Sequence, residues 1–214
     1  MRFRNRIDGG RQLAQKLMRY QKHPHAVVLG LPRGGVVTAY EVAAQLDLPL
    51  DIIVTRKIGA PFNPELAVGA LALDGEVVWN KKMLKSLHLD PEDLTHTIEQ
   101  EKKELARRLS KYRGDRKPLN LQDQVAILVD DGIATGATMR AAIASARTLG
   151  AVKVIVASPV APIAEVEAFA QDADEFVCLL LPKIFLGISA FYEEFAQTVD
   201  EEVIDLLSKA KKPD

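Results

Sequence analysis

The sequence predicts an α/β fold, a mostly parallel sheet flanked by helices, and three observations predict it. Apolar runs of strand length alternate with helical patterns along most of the chain. The runs "HAVVLGLP", "LDIIVT" and "VAILV" are apolar almost throughout, as strands buried on both faces are. The chemically unusual residues stand just after such runs, where open parallel sheets gather ligands. At 214 residues the chain suffices for one sizeable core, and a single domain spanning 1–214 is expected.

Taken in order, Asp8 to Lys22 reads as an amphipathic helix with Leu13, Leu17 and Tyr20 on one side. "HAVVLGLP" is a buried strand ending at Pro32, "RGGVV" a glycine turn, and Val36 to Leu46 a helix. "LDIIVTRKIG" reads as a second buried strand ending in two cations. Pro61 to Asp74, punctuated by Gly and Pro, reads as partly loop. "EVVWN" follows an Asp74-Gly75 turn as a short strand, one arm of a hairpin. Asp90 N-caps a long polar helix, with Pro91 at its first position and Glu92 and Asp93 in its first turn. The helix runs to Tyr112 with Leu94, Ile98, Leu105 and Leu109 on one face, and "GDRKP" ends it as the best candidate linker. Strand Val125–Val129, helix Ala137–Leu149, strand Val152–Val160, helix Ile163–Gln171 and strand Glu175–Leu181 follow, then a closing helix from Asp200 to Lys209.

Composition narrows the function classes. Hydrophobic residues make up 48% and charged residues 27%, ordinary for a soluble globular protein. A net charge of −1 provides no global field toward nucleic acid or an anionic membrane. The basic run "KKELARRLSKYRGDRK" contains Glu104 and follows Glu99 and Glu101, and reads as the solvated face of a helix. "MRFRNRIDGGRQLAQKL" lacks the apolar core of a signal peptide, and no apolar stretch is long enough to span a bilayer, so a cytoplasmic protein is expected. Cys178 is the only cysteine, so neither an intramolecular disulfide nor a cysteine-based zinc site is available; "EFVCLLL" makes it a core residue. His23, His25, His88 and His96 lack metal-ligand spacing with acids and read as surface residues.

The informative stretch is "ILVDDGIATGATM", Ile127 to Met139. A helix N-terminus exposes unpaired N–H groups and partial positive charge, and a Gly/Thr-rich turn lets them converge on one anion. Ala134, Thr135, Gly136, Ala137 and Thr138 have that composition, with two hydroxyl donors. No Lys is present, which excludes the Walker phosphate loop, and the spacing is not that of the dinucleotide fingerprint. Two carboxylates beside an anion site would repel it unless they bind something else. A sugar phosphate resolves the conflict: phosphate on the turn, ribose hydroxyls donated to Asp130 and Asp131. Acids placed there also stabilise positive charge developing on the ring. The plainer reading is a strand-to-helix turn capped by Asp and Thr, which explains one acid but not two.

These residues resemble a known signature. "VAILVDDGIATGATM" looks like the PRPP (5-phosphoribosyl 1-diphosphate) motif of the type I phosphoribosyltransferase family. "LPRGG" after the first strand resembles that family's pyrophosphate loop, and Arg56-Lys57 the pair opening the mobile catalytic loop of adenine and orotate enzymes. The pattern "LPRGG…RKIGAP…NPE…VDDG.ATG.TM" further resembles a group of bacterial phosphoribosyltransferase-domain proteins. The resemblance implies a core at about residues 25–182, with a small hood formed by terminal and inserted segments. Residues 75–118 are a helical or hairpin insertion and 183–214 a C-terminal segment. It also implies a non-proline cis peptide at Pro32–Arg33.

By the same resemblance the protein moves phosphoribosyl from PRPP to a nitrogenous base. Ala134 to Thr138 hold the 5-phosphate, Asp130 and Asp131 the ribose hydroxyls, and Arg33, Gly34 and Gly35 the pyrophosphate. Arg56 and Lys57 add charge as Ile58 to Asp74 closes, and Mg²⁺ rides on the substrate rather than on a protein cage. Separately, the Arg33-Gly34-Gly35 stretch also fits a turn needing positive φ, and Arg56 and Lys57 also fit the cap of a solvated strand end. Glu65 reads as a loop carboxylate near the reaction or as the start of a helical turn.

The acceptor stays open. The third acid of the 6-oxopurine enzymes, three residues after the pair, is here Ala134, as in adenine and orotate enzymes. "IFLGISAFYEEF" nonetheless resembles the base-binding segment of the 6-oxopurine group, so Phe185, Phe191 and Tyr192 either stack on a base or pack the core or a homodimer contact. Two other readings stand beside the enzyme: a PRPP sensor without turnover, and a different sugar-phosphate binder that reuses the turn. A DNA-binding sensor would need an appended domain and a basic face, neither evident in the sequence.

Overall fold

The computed structural model describes residues 2–73, 75–114 and 116–213, without the side chains of Pro64, Glu65 and Ala168. Asp74 of the expected turn, Asp115 of the expected linker and the Glu65 carboxylate therefore lie outside the described residues.

Helix α1 (Arg6–Lys16) is capped by Asn5, whose side chain accepts from the Asp8 N–H at 3.1 Å. It stops earlier than its pattern suggests: a 3-10 turn, Met18–Tyr20, replaces the last stretch, and Lys22 takes a φ of 55°. Strand β1 (Ala26–Gly30), helix α2 (Gly34–Leu46) and strand β2 (Leu50–Ile52) follow. Then come β3 (Arg56–Ala60), β4 (Asn63–Leu71), β5 (Val77–Trp79), α3 (Lys81–Leu87) and α4 (Thr95–Arg113). The chain ends through β6 (Val125–Val129), α5 (Ala137–Thr148), β7 (Lys153–Val160), α6 (Glu165–Asp172), β8 (Glu175–Leu180) and α7 (Asp200–Lys209).

Five strands form one parallel sheet in the order β2-β1-β6-β7-β8. Their side chains alternate between two apolar layers. Val28, Ile127, Val129, Ile155 and Ala157 face the layer built with α1, α2 and α7. Val27, Leu29, Ala126, Leu128, Val154 and Val156 face Met139, Ile143 and Ala146 of α5 and Phe169 of α6. Both faces being buried is why these strands read as unbroken apolar runs.

The middle of the chain departs from its expected form. "LDIIVTRKIG" is two strands in two sheets: β2 ends at Ile52, the Ile53 N–H donates to the Gly30 carbonyl, and β3 opens a separate antiparallel sheet, β3-β4-β5. Arg56 and Lys57 therefore start a strand of the second sheet rather than end one of the first. Most of the expected loop at Pro61–Asp74 is β4, paired with β3 through a register shift around Gly59. Glu65 lies in that strand and starts no helical turn. Burial of Ile58, Ala60, Val68, Ala70 and Leu71 holds the hairpin despite its glycines. Helix α3, capped by Asn80, was not apparent in the sequence, and Asp90 caps a 3-10 turn, Pro91–Leu94, ahead of α4. The second sheet thus begins at Arg56.

Two charged contacts fasten α4 and α7 to the sheet. Asp51, on edge strand β2, is buried and takes a two-bond contact from Arg113 at 3.2 and 2.9 Å. Arg116 donates to the Leu50 and Leu207 carbonyls, and the Leu50 N–H donates to the Lys211 carbonyl, so polar partners occupy the edge of β2. At the start of α7, Asp200 accepts from Lys111 Nζ at 2.7 Å and the Tyr112 hydroxyl at 2.6 Å. The Lys111 ammonium, then the Tyr112 hydroxyl, hold the Asp200 carboxyl down at about 2.

Arg113→Ala should cost about 3 kcal/mol of unfolding free energy in urea, because buried Asp51 would keep only the Ile52 N–H and the more distant Arg116 as partners. Asp200 should give a distinct acid signature. A depressed folded value contributes stability that is present above its unfolded value, about 4, and is lost as pH falls toward 2. Asp200→Asn should flatten that part of a stability-versus-pH curve and leave its neutral-to-alkaline part level.

Candidate functional site

Strands β1 and β6 are neighbours with Gly30 opposite Val129, so the segments that follow them leave the sheet side by side. After β1 the chain passes through Leu31 and a cis Pro32–Arg33 peptide directly into α2. Gly34 and Gly35 are the first two residues of that helix and neither takes a positive φ, so the left-handed turn is not what they serve. Close approach requires them. A Cβ on Gly35 would stand 2.7 Å from Asp130 Oδ1 and 2.9 Å from Asp130 Cα, and one on Gly34 would collide with Asp131 Oδ2.

The acid pair is therefore wedged against the start of α2. The Asp131 N–H donates to Asp130 Oδ1 at 2.8 Å. Arg6 Nε donates to Asp131 Oδ2 at 2.5 Å, Arg6 Nη1 donates to the Ala196 carbonyl at 2.7 Å, and the guanidinium lies 3.8 Å from the Phe195 ring centroid. The Tyr192 hydroxyl donates to the Asp131 carbonyl at 2.5 Å. Burial, followed by the charge of Asp131, pushes the Asp130 carboxyl well above the usual carboxylate range, with Arg6 opposing.

Beyond the acids, Ala134 and Thr135 are exposed, Gly136 takes a φ of 68°, and α5 begins at Ala137. Gly136 caps α5 without a side-chain hydrogen bond, and the Thr135 and Thr138 side chains stand at the surface beside the first-turn N–H groups. Arg140 braces this turn from within α5: it donates to the Thr135 carbonyl at 3.0 Å and to Glu165 at 2.8 Å, over Phe169. Thr55, just before β3, donates to the Thr138 carbonyl at 3.4 Å and seats the second sheet against the turn. The result is an exposed turn at a helix N-terminus beside two recessed carboxyls, an arrangement suited to a phosphate joined to a polyol.

The remaining candidates are more scattered. Arg33 Nη1 lies 3.6 Å from Asp200 Oδ1, linking the segment after β1 to α7. Arg56 donates to Glu101 of α4 at 2.5 Å. Lys57 sits in β3 opposite Ala70. Phe185 and Phe191 stack on each other with centroids 5.6 Å apart and are half-buried. Tyr192 is buried between Phe3 and Phe195, so its ring packs rather than lies open to a ligand. Cys178 donates to the Leu180 carbonyl at 3.2 Å, and burial raises its thiol to about 11. A cleft of about 960 Å³ lies away from the acids, where α4 and α7 meet β2, lined by Asp51, Lys111, Arg113 and Arg116.

Four contributors were not legible in the sequence. Arg6 and Asp200 reach the site from 125 and 167 residues away, and no local pattern marks them. Thr55 carries no motif. Arg140, one helical turn past Gly136, stood close enough to be found as a brace.

Residues 2–191 match the family model described as the phosphoribosyl transferase domain. A Mycobacterium tuberculosis H37Rv protein named "Putative phosphoribosyl transferase Rv0571c" is 46% identical over 210 residues, covering 98% of this chain and 47% of the relative. A second, from strain CDC 1551, matches to the same extent. The chain thus spans about half the length of these curated relatives. The crystal structure of TT1426 from Thermus thermophilus superposes with a TM-score of 0.82 at 39% identity, covering 99% of this chain and 100% of that one. With its parallel sheet, its acid pair and its anion-ready turn in these positions, the chain belongs to the phosphoribosyl transferase domain family.

Proposed function

We propose that this protein is a Mg²⁺-dependent enzyme that transfers 5-phosphoribosyl from PRPP to a nitrogenous base and releases pyrophosphate. The observation that carries the proposal is the lodging of Asp130 and Asp131 between two glycines of one strand-to-helix junction and the exposed Thr/Gly turn of the next. A molecule with a phosphate at one end, a ribose diol in the middle and a pyrophosphate at C1 meets that layout along its length. Ala134 to Thr138 would take the 5-phosphate, the acid pair the ribose hydroxyls, and the Arg33-Gly34-Gly35 segment the pyrophosphate.

In the reaction the bond from C1 to the pyrophosphate oxygen breaks and the bond to the base nitrogen forms, through a ribose ring bearing positive charge. A carboxylate held near that ring favours the charge, and Arg33 favours the departing anion. Positioning supplies the rest, so no protein nucleophile is required. Among the described residues no group of three or more His, Cys, Asp and Glu gathers as a metal site. The acid pair offers two carboxyls, one already bound by Arg6. That donor set suits a Mg²⁺ that keeps its waters and binds mainly through substrate oxygens. Arg56 and Lys57 would act by movement of the β3–β4 hairpin rather than of a loop, since Ile58 to Leu71 is largely strand. Phe185 and Phe191 would offer a ring face to the base. A cytoplasmic homodimer completes the proposal; among the described residues no helix is long and apolar enough to cross a membrane.

A PRPP sensor without turnover is favoured by one observation: Arg56 is already paired with Glu101, which leaves it less available to a substrate. Incubation with PRPP, Mg²⁺ and a panel of purine and pyrimidine bases, assayed for pyrophosphate, separates the two. Base-dependent release supports the enzyme, whereas tight PRPP binding with no release supports the sensor. Asp130→Asn, which leaves the Arg6–Asp131 pair in place, should lower turnover at least about a hundredfold with a much smaller loss of stability; parallel losses would assign that acid a structural role. Gly35→Ala should displace the acid pair, costing about 1–3 kcal/mol in denaturant unfolding and most of the PRPP affinity.

A further inference from the structure

Asp131 is held by a part of the molecule that lies outside the sheet. Residues 3–6 and 191–196 run together: Phe3 bridges Tyr192, the Phe3 N–H donates to the Phe191 carbonyl, and the Glu193 and Glu194 N–H groups donate to the Phe3 and Arg4 carbonyls. This two-stranded clasp grips Asp131 twice. Tyr192 holds its main-chain carbonyl and Arg6 holds its carboxylate. Arg6 and Asp131 are each close to nine-tenths enclosed, and the guanidinium is fixed by the Phe195 ring and the Ala196 carbonyl. The Gly34 backbone closes the remaining side, since a Cβ there would lie 2.7 Å from Arg6 Nε.

We propose that Arg6 is a positioning residue of the ribose site: it fixes the Asp131 carboxylate in orientation and in charge so that this acid can accept the sugar hydroxyls. This rests on the reading that Asp131 faces ribose. Two features of the contact favour a support over a plug. Arg6 approaches one oxygen, Oδ2, through one N–H, and an ionised carboxylate has about four acceptor positions, so most of them stay available. The second feature is that Arg6 is tied to the clasp by two separate contacts, neither of which involves the Thr/Gly turn. Release of Arg6 would dismantle the clasp rather than open a door.

The charge argument runs the same way. The groups bearing on the acid pair are Arg6 from α1, the Tyr192 hydroxyl from the C-terminal segment, and the two acids themselves. Arg6 supplies the positive charge. Without it, two acids and a phenol face one another across a recessed space, and the Asp130 carboxyl, already raised by burial and by its neighbour, loses the charge that opposes that rise. A protonated acid accepts fewer hydrogen bonds from a diol and gives less support to a cationic ring.

The test titrates ribose 5-phosphate, and PRPP with Mg²⁺, into wild type, Arg6→Gln, Arg6→Lys and Leu17→Ala by calorimetry across the acid range. Leu17 is buried at the end of the same helix, far from the acids in sequence, and Leu17→Ala controls for destabilisation of α1. Arg6→Gln should bind ribose 5-phosphate about tenfold more weakly near neutrality, with the acid limb of binding moved to higher pH. Arg6→Lys, which keeps the charge, should restore part of the affinity and most of the pH profile. Leu17→Ala should lower the melting temperature and leave both unchanged. Tighter binding by Arg6→Gln would show that Arg6 plugs the site and would overturn the inference. So would unchanged affinity and pH profile in Arg6→Gln, which leaves the functional proposal standing. Absence of binding by wild type would instead bring down the ribose reading, and this inference with it.

Discussion

The site depends on how close β1 and β6 bring two helix starts. Because Gly30 lies opposite Val129, the residues after each strand emerge within a few ångströms of one another. Side chains at the start of α2 would push the junctions apart, and the two glycines remove them. The acids are thereby enclosed by backbone, which costs them hydration and gives them fixed geometry. That trade explains the raised Asp130 carboxyl: burial is its first cause and the neighbouring acid its second. Preorganised charge of this kind is useful where a positive ring develops and a burden elsewhere, so its persistence in a strand-end crevice points to chemistry rather than to folding.

The rest of the architecture follows from supporting that crevice from both sides. The parallel sheet is rigid because both faces are packed, and its edge at β2 is closed by Arg116 and the Lys211 carbonyl. The second sheet is seated against the start of α5 by Thr55, which donates to the Thr138 carbonyl. Phe62, at the tip between β3 and β4, is exposed. The hairpin thus has a buried base and an exposed tip.

Much of this was legible in the sequence because it was local. Strands β1 and β6, the end of α2 and all of α7 follow from runs, caps and charges that lie within a few residues of each other. The acid pair and the Thr/Gly turn were legible for the same reason. What stayed hidden was long-range or ambiguous. "LDIIVTRKIG" is apolar enough to read as one strand, and only the length of its partner β1 shows where the first sheet stops. Gly69 and Pro64 make β4 look like a loop, since its burial against α5 and α4 is invisible from its own residues. Gly34 and Gly35 suggested a turn by composition; the acids they accommodate lie about 95 residues on, so only the fold reveals a steric need.

The charges that flank the crevice are matched in a way the family pattern does not contain. Arg6, from near the N-terminus, lies on the acid proposed to face the sugar, and Asp200, from the last helix, lies near the cation proposed to face the pyrophosphate. The two contacts differ in kind. Arg6 and Asp131 are in hydrogen-bond contact and enclosed, whereas Arg33 and Asp200 stand 3.6 Å apart with Arg33 one-third exposed and Asp200 already satisfied by Lys111 and Tyr112. A recessed, short ion pair is expensive to break, because each partner would be left without compensation; a loose one at the surface exchanges readily with an incoming anion. On the proposed function, the acid side of the crevice would stay as it is and the cation side would exchange its partner. A substrate that brings neutral hydroxyls to the first and a pyrophosphate to the second needs that asymmetry, since only the second encounter replaces one anion with another.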